Sequence, residues 1–310
     1  ADLFSGVNHD ADILVLCGDL TTHGRPDQLK ALARELSAVE IPIVAVLGNH
    51  DHEGGSIDEI RDILAEVGVE LLDGDATTIE GVGFAGVKGF AGGFGRGTLA
   101  PFGEDLIKSF VQHSIDEALK LENALRTLTA ETKVVVMHYA PIEETLVGEP
   151  ETIYPYLGTS RLLPPVETHG ASVVFHGHAH HGTPEAVTPA GVPVYNVALP
   201  VLRQEGLFYR IWHATAPERR RARGAEASGN GRGDERRGGR GAEREQGRES
   251  TAMRAGEREP VREGEPEPMR AEEARVGHEP GADARGRVAC ERRRGGRRAT
   301  DRGVDERGAG

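Results

Sequence analysis

Residues 13–24 read ILVLCGDLTTHG, and the first five of them set the expected fold. An uninterrupted apolar run of this length, rich in Ile, Leu and Val, is typical of a strand buried on both faces. Ile41–Leu47 repeats this character, and Asp27–Val39 between the two runs carries leucines at helical spacing. A strand, a helix and a second strand in this order predict an α/β fold built on a layered sheet.

The same patterns continue to residue 213. Helices are predicted over Ser56–Val67 and Glu104–Leu128, where apolar residues recur every three or four positions. Short apolar runs predict the remaining strands, at Thr77–Ile79, Val82–Val87, Val134–Met137, Val173–Phe175, Val192–Val197 and Leu207–Trp212. Residues 1–213 are therefore predicted to form one folded domain.

Residues 214–310 have a different composition. They contain no Leu, Ile, Phe, Tyr, Trp or Lys, and all of their basic residues are Arg. A segment this poor in apolar side chains cannot bury enough surface to offset the backbone entropy of folding, so we expect a disordered tail. Two interpretations stay open: an extension that contacts RNA through Arg-Gly segments, or the out-of-frame translation of GC-rich DNA.

Composition excludes several other classes of protein. No apolar run reaches the length of about 18 residues that a membrane-spanning helix needs, so no membrane partner is expected. Two cysteines, Cys17 and Cys290, cannot build a disulfide framework, which favours a reducing compartment and predicts a cytoplasmic location. The 50 acidic residues outnumber the 37 basic ones, and the net charge of −13 argues against binding of duplex nucleic acid.

Four of the predicted strands are followed directly by residues of types that commonly bind metal ions. The motifs are Gly18-Asp19, Gly48-Asn49-His50-Asp51, His138 and Gly177-His178-Ala179-His180. Because ligands of open α/β sheets bind at the carboxyl ends of the strands, these loops are expected to meet at one edge. A mixture of carboxylate, amide and imidazole ligands suits Mn, Fe or Zn rather than Ca.

In order along the chain, the motifs G-D, G-N-H-D, H and G-H-x-H resemble the set found in the calcineurin-like metallophosphoesterases, over about residues 1–213. The resemblance implies a layered β-sandwich flanked by helices. It also implies two divalent metal ions, Mn or Fe in preference to Zn. These ions clamp a small phosphate-ester substrate, a mono- or diester, for attack by a metal-activated hydroxide.

The resemblance also implies a role for each motif residue. Asp19 would bridge both metals, and His180 would bind the first one. The second metal would be completed by Asn49, His138 and His178. His50 would act as general acid to the leaving group or stabilise its charge, and Asp51 would orient the His50 imidazole.

One family motif has no counterpart in this chain. The family begins with a strand that ends in D-x-H, whose two side chains hold the first metal. The nearest match here is Asp2-Leu3-Phe4, where Phe4 stands in the position of the histidine. Residues 1–10 instead resemble the end of the family's first helix. We therefore expect a domain truncated at its N-terminus that lacks two ligands of the first metal. This makes the chain a candidate for an inactive fragment of an active enzyme.

A glycine-rich segment, residues 86–97, allows two interpretations. It contains no Walker signature, so it does not predict a nucleotide-binding P-loop. One interpretation is a flexible connection, and the other is a lid over the site. In the second, Arg96 or Lys88 would bind a substrate phosphate.

Two further functions compete with phosphoester hydrolysis. The first is a non-catalytic interaction module on the same fold with an incomplete metal site, which the missing D-x-H favours. The second is a metallo-β-lactamase-type hydrolase, suggested by the histidines of residues 176–181. That family needs an Asp where His180 stands, and it leaves Gly48–Asp51 unexplained.

Overall fold

A computed structural model describes residue 4, residues 6–214 and, for the backbone alone, residues 287–292. The strands form two sheets, one of five strands in the order β10-β11-β1-β2-β3 and one of six in the order β4-β5-β6-β7-β9-β8. The first sheet contains β1 (Ile13–Cys17), β2 (Ile43–Val46), β3 (Val69–Leu71), β10 (Arg210–Ala214) and β11 (Arg287–Arg292). The second contains β4 (Asp75–Ile79), β5 (Val82–Val87), β6 (Thr132–Met137), β7 (Val173–His176), β8 (Glu185–Val187) and β9 (Pro193–Asn196).

Parallel pairing dominates both sheets. β1, β2 and β3 run parallel, with Leu14 opposite Ile43, and so do β5, β6, β7 and β9. Antiparallel strands lie at both edges of the second sheet. The carboxyl ends of the parallel strands therefore lie at one edge of each sheet, as the strand-end motifs require.

Eight α-helices occur in the described residues. They are α1 (Val7–Asp10), α2 (Pro26–Leu36), α3 (Asn49–Glu53), α4 (Ile57–Glu66), α5 (Asp105–Thr127), α6 (Tyr154–Leu157), α7 (Leu163–Thr168) and α8 (Leu199–Gln204). α2 and α4 pack on the first sheet, and α5 and α7 pack on the second. None of the helices in the described part of the chain combines the length and apolar character of a membrane span.

The buried side chains of β1 show why the sheets stack. Leu14 and Leu16 belong to the cluster beneath α2 and α4, whereas Ile13 and Val15 belong to the cluster between the two sheets. Successive side chains of a strand point to opposite faces, so a continuous apolar run fits a strand that is covered on both sides. The predicted α/β fold, a layered sandwich flanked by helices, is confirmed.

The ends of the chain add two observations to the sequence analysis. In the described region before β1 the chain forms α1, while Asp2 and Leu3 of the predicted D-x-H position lie outside the described residues. Arg287–Arg292, part of the segment expected to be disordered, pairs antiparallel with β1 and parallel with β10. Strand pairing uses backbone groups that every sequence offers, which is why composition gave no signal of it. The rest of the tail, including the Arg-Gly segments of the RNA-contact interpretation, lies outside the described residues.

Tyr209 attaches α1 to the segment before β10. Its hydroxyl donates to Asp10 Oδ2 at 2.5 Å. Burial, together with this hydrogen bond, raises the pKa of Tyr209 to about 12. Hydrogen bonds from His9 and Tyr209 lower the pKa of Asp10.

We expect Tyr209→Phe to lower the melting temperature by a few degrees, because this hydrogen bond is lost. Tyr209 has a folded pKa above its unfolded value of about 10, so its contribution is complete below that pH and disappears as pH rises toward 12. Asp10 has a lowered folded pKa, so its contribution disappears as pH falls through the acidic range. Thermal unfolding at about pH 3, 7 and 11 should therefore show the largest difference at pH 7. Tyr156→Phe, at an exposed tyrosine, is the control; an equal effect of both variants would contradict the prediction.

Candidate metal centre

Four loops at the carboxyl ends of β1, β2, β6 and β7 bring the expected ligands together. Asp19 and His178 both adopt left-handed backbone conformations, with φ of 51° and 69°. The loop after β2 also approaches very closely: a Cβ on Gly48 would lie 2.1 Å from Asp19 Oδ1. Only a residue without a Cβ, which is glycine, allows the two loops to approach each other this closely.

Three ligand atoms lie close to a fourth, His138 Nε2. His138 Nε2 lies 2.8 Å from Asn49 Oδ1, 3.1 Å from His178 Nδ1 and 3.3 Å from Asp19 Oδ1. Asp19, His138 and His178 are the group of His, Cys, Asp or Glu side chains that lie within 4.8 Å of one another in the described residues. Asp19 Oδ2 is buried and has no hydrogen-bond partner in that part of the chain.

Backbone carbonyls set the orientation of both imidazoles. His138 Nδ1 donates to the carbonyl oxygen of Cys17 at 2.9 Å, and His178 Nε2 donates to that of Tyr156 at 3.3 Å. The other nitrogen of each ring therefore directs a lone pair at the other ring. Two imidazole nitrogens, an amide oxygen and a carboxylate that face one another are a ligand set for a divalent transition metal. The residues present fit such an ion.

Burial keeps these histidines neutral. It lowers the pKa of His178 to about 3 and holds the pKa of His138 well below its usual value. Burial, with the nearby charge of Asp51, raises the pKa of Asp19 to about 8. A bound cation favours the ionised carboxylate and so opposes that rise. The imidazole lone pairs are therefore available to an ion throughout the neutral range.

Asp51 has a different position from the one expected. It accepts hydrogen bonds from the backbone N–H groups of Leu20, Thr21 and Gly48 and from the Thr21 hydroxyl, at 2.7–3.1 Å. The carboxylate beside the His50 imidazole is instead that of Glu53, with Oε1 2.6 Å from Nδ1. The expectation that Asp51 orients His50 is therefore corrected. Asp51 joins the loops after β1 and β2.

The other expected site residues lie around this centre. His180 is partly buried next to it, and burial lowers its pKa. Lys88 directly follows β5 and lines a pocket of about 350 Å³ together with Asn49 and Tyr139. Arg96 lies on an exposed 3-10 turn and is not among the residues that line this pocket.

Sequence reasoning missed the side of the pocket formed by α5. His113, Glu117 and Lys120 line it. They occur at four- and three-residue spacing, so they share one face of the helix. Polar residues at helical spacing on α5, with Glu117 among its buried positions, were the available signal.

A sequence model described as calcineurin-like phosphoesterase matches residues 1–182, more than half of the 310-residue chain. The chain belongs to this family. Membership of the calcineurin-like phosphoesterases supports phosphoester hydrolysis in general and a requirement for divalent metal ions. It gives no support to the alternative of a metallo-β-lactamase-type hydrolase. No curated protein sequence matches the chain.

Solved structures similar to this calcineurin-like phosphoesterase are distant in sequence. Phosphopantetheinyl hydrolase from Mycobacterium tuberculosis is 15% identical with a TM-score of 0.47, over 63% of this chain and 86% of that one. The protein TT1561 of Thermus thermophilus is 18% identical with a TM-score of 0.40, over 63% of this chain and 81% of that one.

Proposed function

We propose that the chain is a metal-dependent hydrolase of phosphate mono- or diesters that uses a two-metal centre. The observation that supports this most directly is the convergence of Asp19, Asn49, His138 and His178, whose lone pairs face one another. When bound, the divalent ions, Mn or Fe in preference to Zn, activate water and stabilise the charge that develops on the phosphate.

The proposed ligand set would divide between two ions. One ion would be held by Asn49, His138, His178 and Asp19. Asp19 Oδ2, buried and without a partner in the described part of the chain, is the atom offered to the second ion, together with His180. Fewer protein ligands at the second ion make it the more weakly bound of the two.

His50 is the proposed proton donor to the leaving group. Its side chain is 36% exposed at the edge of the centre, so it can reach a substrate. The carboxylate beside this imidazole is that of Glu53, whose Oε1 lies 2.6 Å from His50 Nδ1. Asp51 contributes indirectly, because it holds the loop that carries His50.

Hydrolysis of bis(p-nitrophenyl) phosphate and p-nitrophenyl phosphate, with added Mn²⁺ and with chelator, tests the proposed function. We expect metal-dependent turnover that His50→Ala reduces by about 10²-fold or more, the usual contribution of a general acid. The two substrates separate a monoesterase from a diesterase. A folded chain that binds metal and hydrolyses neither ester would contradict the proposal and support a non-catalytic module.

The number of bound metal ions tests the two-metal arrangement. We expect two ions per wild-type chain and one in His180→Ala, because that variant loses a ligand of the weaker site. His181→Ala is the matched control, since its exposed neighbouring imidazole has no assigned ligand role. Elemental analysis after dialysis gives the ratio. A value of one in the wild type would refute the two-metal arrangement, and a value near zero would support the non-catalytic module.

A further inference from the structure

A pocket of about 350 Å³ opens beside the candidate metal centre. Asn49, one of the proposed metal ligands, lines it together with Tyr139, the neighbour of His138. Small-molecule sites have volumes of about 300–1,000 Å³, so the space suits an organic group attached to a phosphate rather than the phosphate alone. Its position beside Asn49 makes it a place for an organic group of the substrate.

The carboxylates of the pocket already have cationic partners. Lys120 Nζ lies 2.8 Å from Glu117 Oε1 and 3.1 Å from Asp73 Oδ1. Arg61 forms a second ion pair with Asp73, at 2.7 Å. Two carboxylates are thus matched by two cations, and this part of the pocket has no net charge.

Lys88 is the additional cation. Its ammonium group donates to the carbonyl oxygen of Gly89 at 2.8 Å and has no carboxylate within 4.0 Å among the described residues. It lies over the rings of Phe90 and Tyr139, 4.9 and 5.2 Å from their centroids. An ammonium group has three hydrogens to donate, so two remain for a ligand. The pocket therefore combines aromatic side chains with an excess of one cation, since Lys88, Lys120 and Arg61 share the two carboxylates of Glu117 and Asp73.

We propose that this pocket binds the alcohol part of the substrate and selects phosphate esters that carry a second anionic group, which Lys88 binds. The inference rests on the proposed phosphoester hydrolysis and specifies its substrate class. The side chains of Phe90 and Tyr139, which line the pocket, contact the organic skeleton between the two anions. A carboxylate and a phosphate-type group share the chemistry that Lys88 recognises.

Matched aryl esters test the selectivity. 4-Carboxyphenyl phosphate is compared with 4-carbamoylphenyl phosphate, which has the same shape and no second charge. 4-Phosphonophenyl phosphate then separates a phosphate-type second anion from a carboxylate, and methyl diesters of all three serve for a diesterase. We expect kcat/KM to favour the anionic esters by about tenfold, the effect of a charged hydrogen bond in a partly buried site.

Substitutions at Lys88 assign the selectivity to this residue. In Lys88→Gln the ratio of kcat/KM between the anionic and neutral esters should fall to about one, and Lys88→Arg should restore part of it. Lys108→Gln, at an exposed lysine of α5 that pairs with Asp105, should keep the wild-type ratio. An equal loss for all esters in Lys88→Gln would overturn the inference, because Lys88 would then contact the scissile phosphate.

A binding measurement on the metal-free protein is independent of turnover. We expect calorimetry to show 4-hydroxybenzoate binding about tenfold more tightly than 4-hydroxybenzamide, with the preference lost in Lys88→Gln. Absence of that preference in the wild type would overturn the inference. Hydrolysis of every ester without selectivity would overturn it while leaving the proposed function intact. Failure to hydrolyse any ester with metal present would refute the proposed function alone.

Discussion

Asp19→Asn should abolish metal-dependent hydrolysis and leave the fold intact. Asparagine has the shape of aspartate and is among the few residues that tolerate the left-handed backbone found here, with φ of 51°. Its amide oxygen can still accept the hydrogen bond that the His50 N–H donates to Asp19 Oδ1 at 3.0 Å. The substitution therefore removes a negative charge and little else.

The expected loss of metal affinity is at least about hundredfold. Changing residues that only support metal ligands already costs about 10–100-fold, and Asp19 is a proposed direct ligand of both ions. Elemental analysis and a Mn²⁺ titration measure the loss. Asp58→Asn, at an exposed carboxylate in the first turn of α4, is the control. Wild-type Mn²⁺ affinity in Asp19→Asn would show that the centre is assigned wrongly.

In the metal-free protein, Asp19→Asn should increase stability, although it lowers metal affinity. The pKa of Asp19 in the folded chain is raised to about 8, so its contribution to stability is complete in acid and is lost as pH rises toward 8. A neutral amide has no such loss. The melting temperature of metal-free Asp19→Asn should therefore exceed that of the wild type by an amount that grows between about pH 4 and 8.

Gly48→Ala should remove both stability and metal binding. The added Cβ would lie 2.1 Å from Asp19 Oδ1 and 2.4 Å from the Asp19 backbone nitrogen. The backbone of Gly48, with φ of −108°, is open to any residue, so the cost arises from these contacts and not from the backbone conformation. Either Asp19 or the loop after β2 has to move.

Overpacking of this kind costs about 1–3 kcal/mol, and displacement of Asp19 disrupts the ligand set. Thermal unfolding and the metal content measure the two effects. Gly97→Ala is the matched control, because a Cβ at Gly97 meets no atom within 4 Å. Retention of both wild-type stability and wild-type metal content in Gly48→Ala would contradict the close approach of the two loops.

The sequence predicted which side chains gather at the candidate site. It did not predict which hydrogen-bond and ion-pair partners these side chains have. Asp19, Asn49, His138 and His178 were found because each follows an apolar run, and the topology of parallel strands brings such positions together. The helix predicted over Glu104–Leu128 differs from the observed Asp105–Thr127 by one residue at each end.

Long-range contacts were beyond sequence reasoning. Asp51 binds backbone N–H groups about 30 positions away, and the identity of a residue does not show which remote amides approach it. The availability of Lys88 for a ligand depends on how Lys120 and Arg61 distribute themselves between two carboxylates. β11 pairs through backbone atoms, for which side-chain composition carries little information.

The hydrogen bonds to Asp51 have a consequence for motion. This one buried carboxylate accepts hydrogen bonds from the loop that carries Asp19 and from the loop that carries Asn49. Movement of either loop away from the site therefore breaks hydrogen bonds that also hold the other loop. The two segments should then open as a single cooperative unit, with one protection factor in amide exchange. The rate at which an ion escapes would follow that one opening event, and not the independent fluctuation of separate loops.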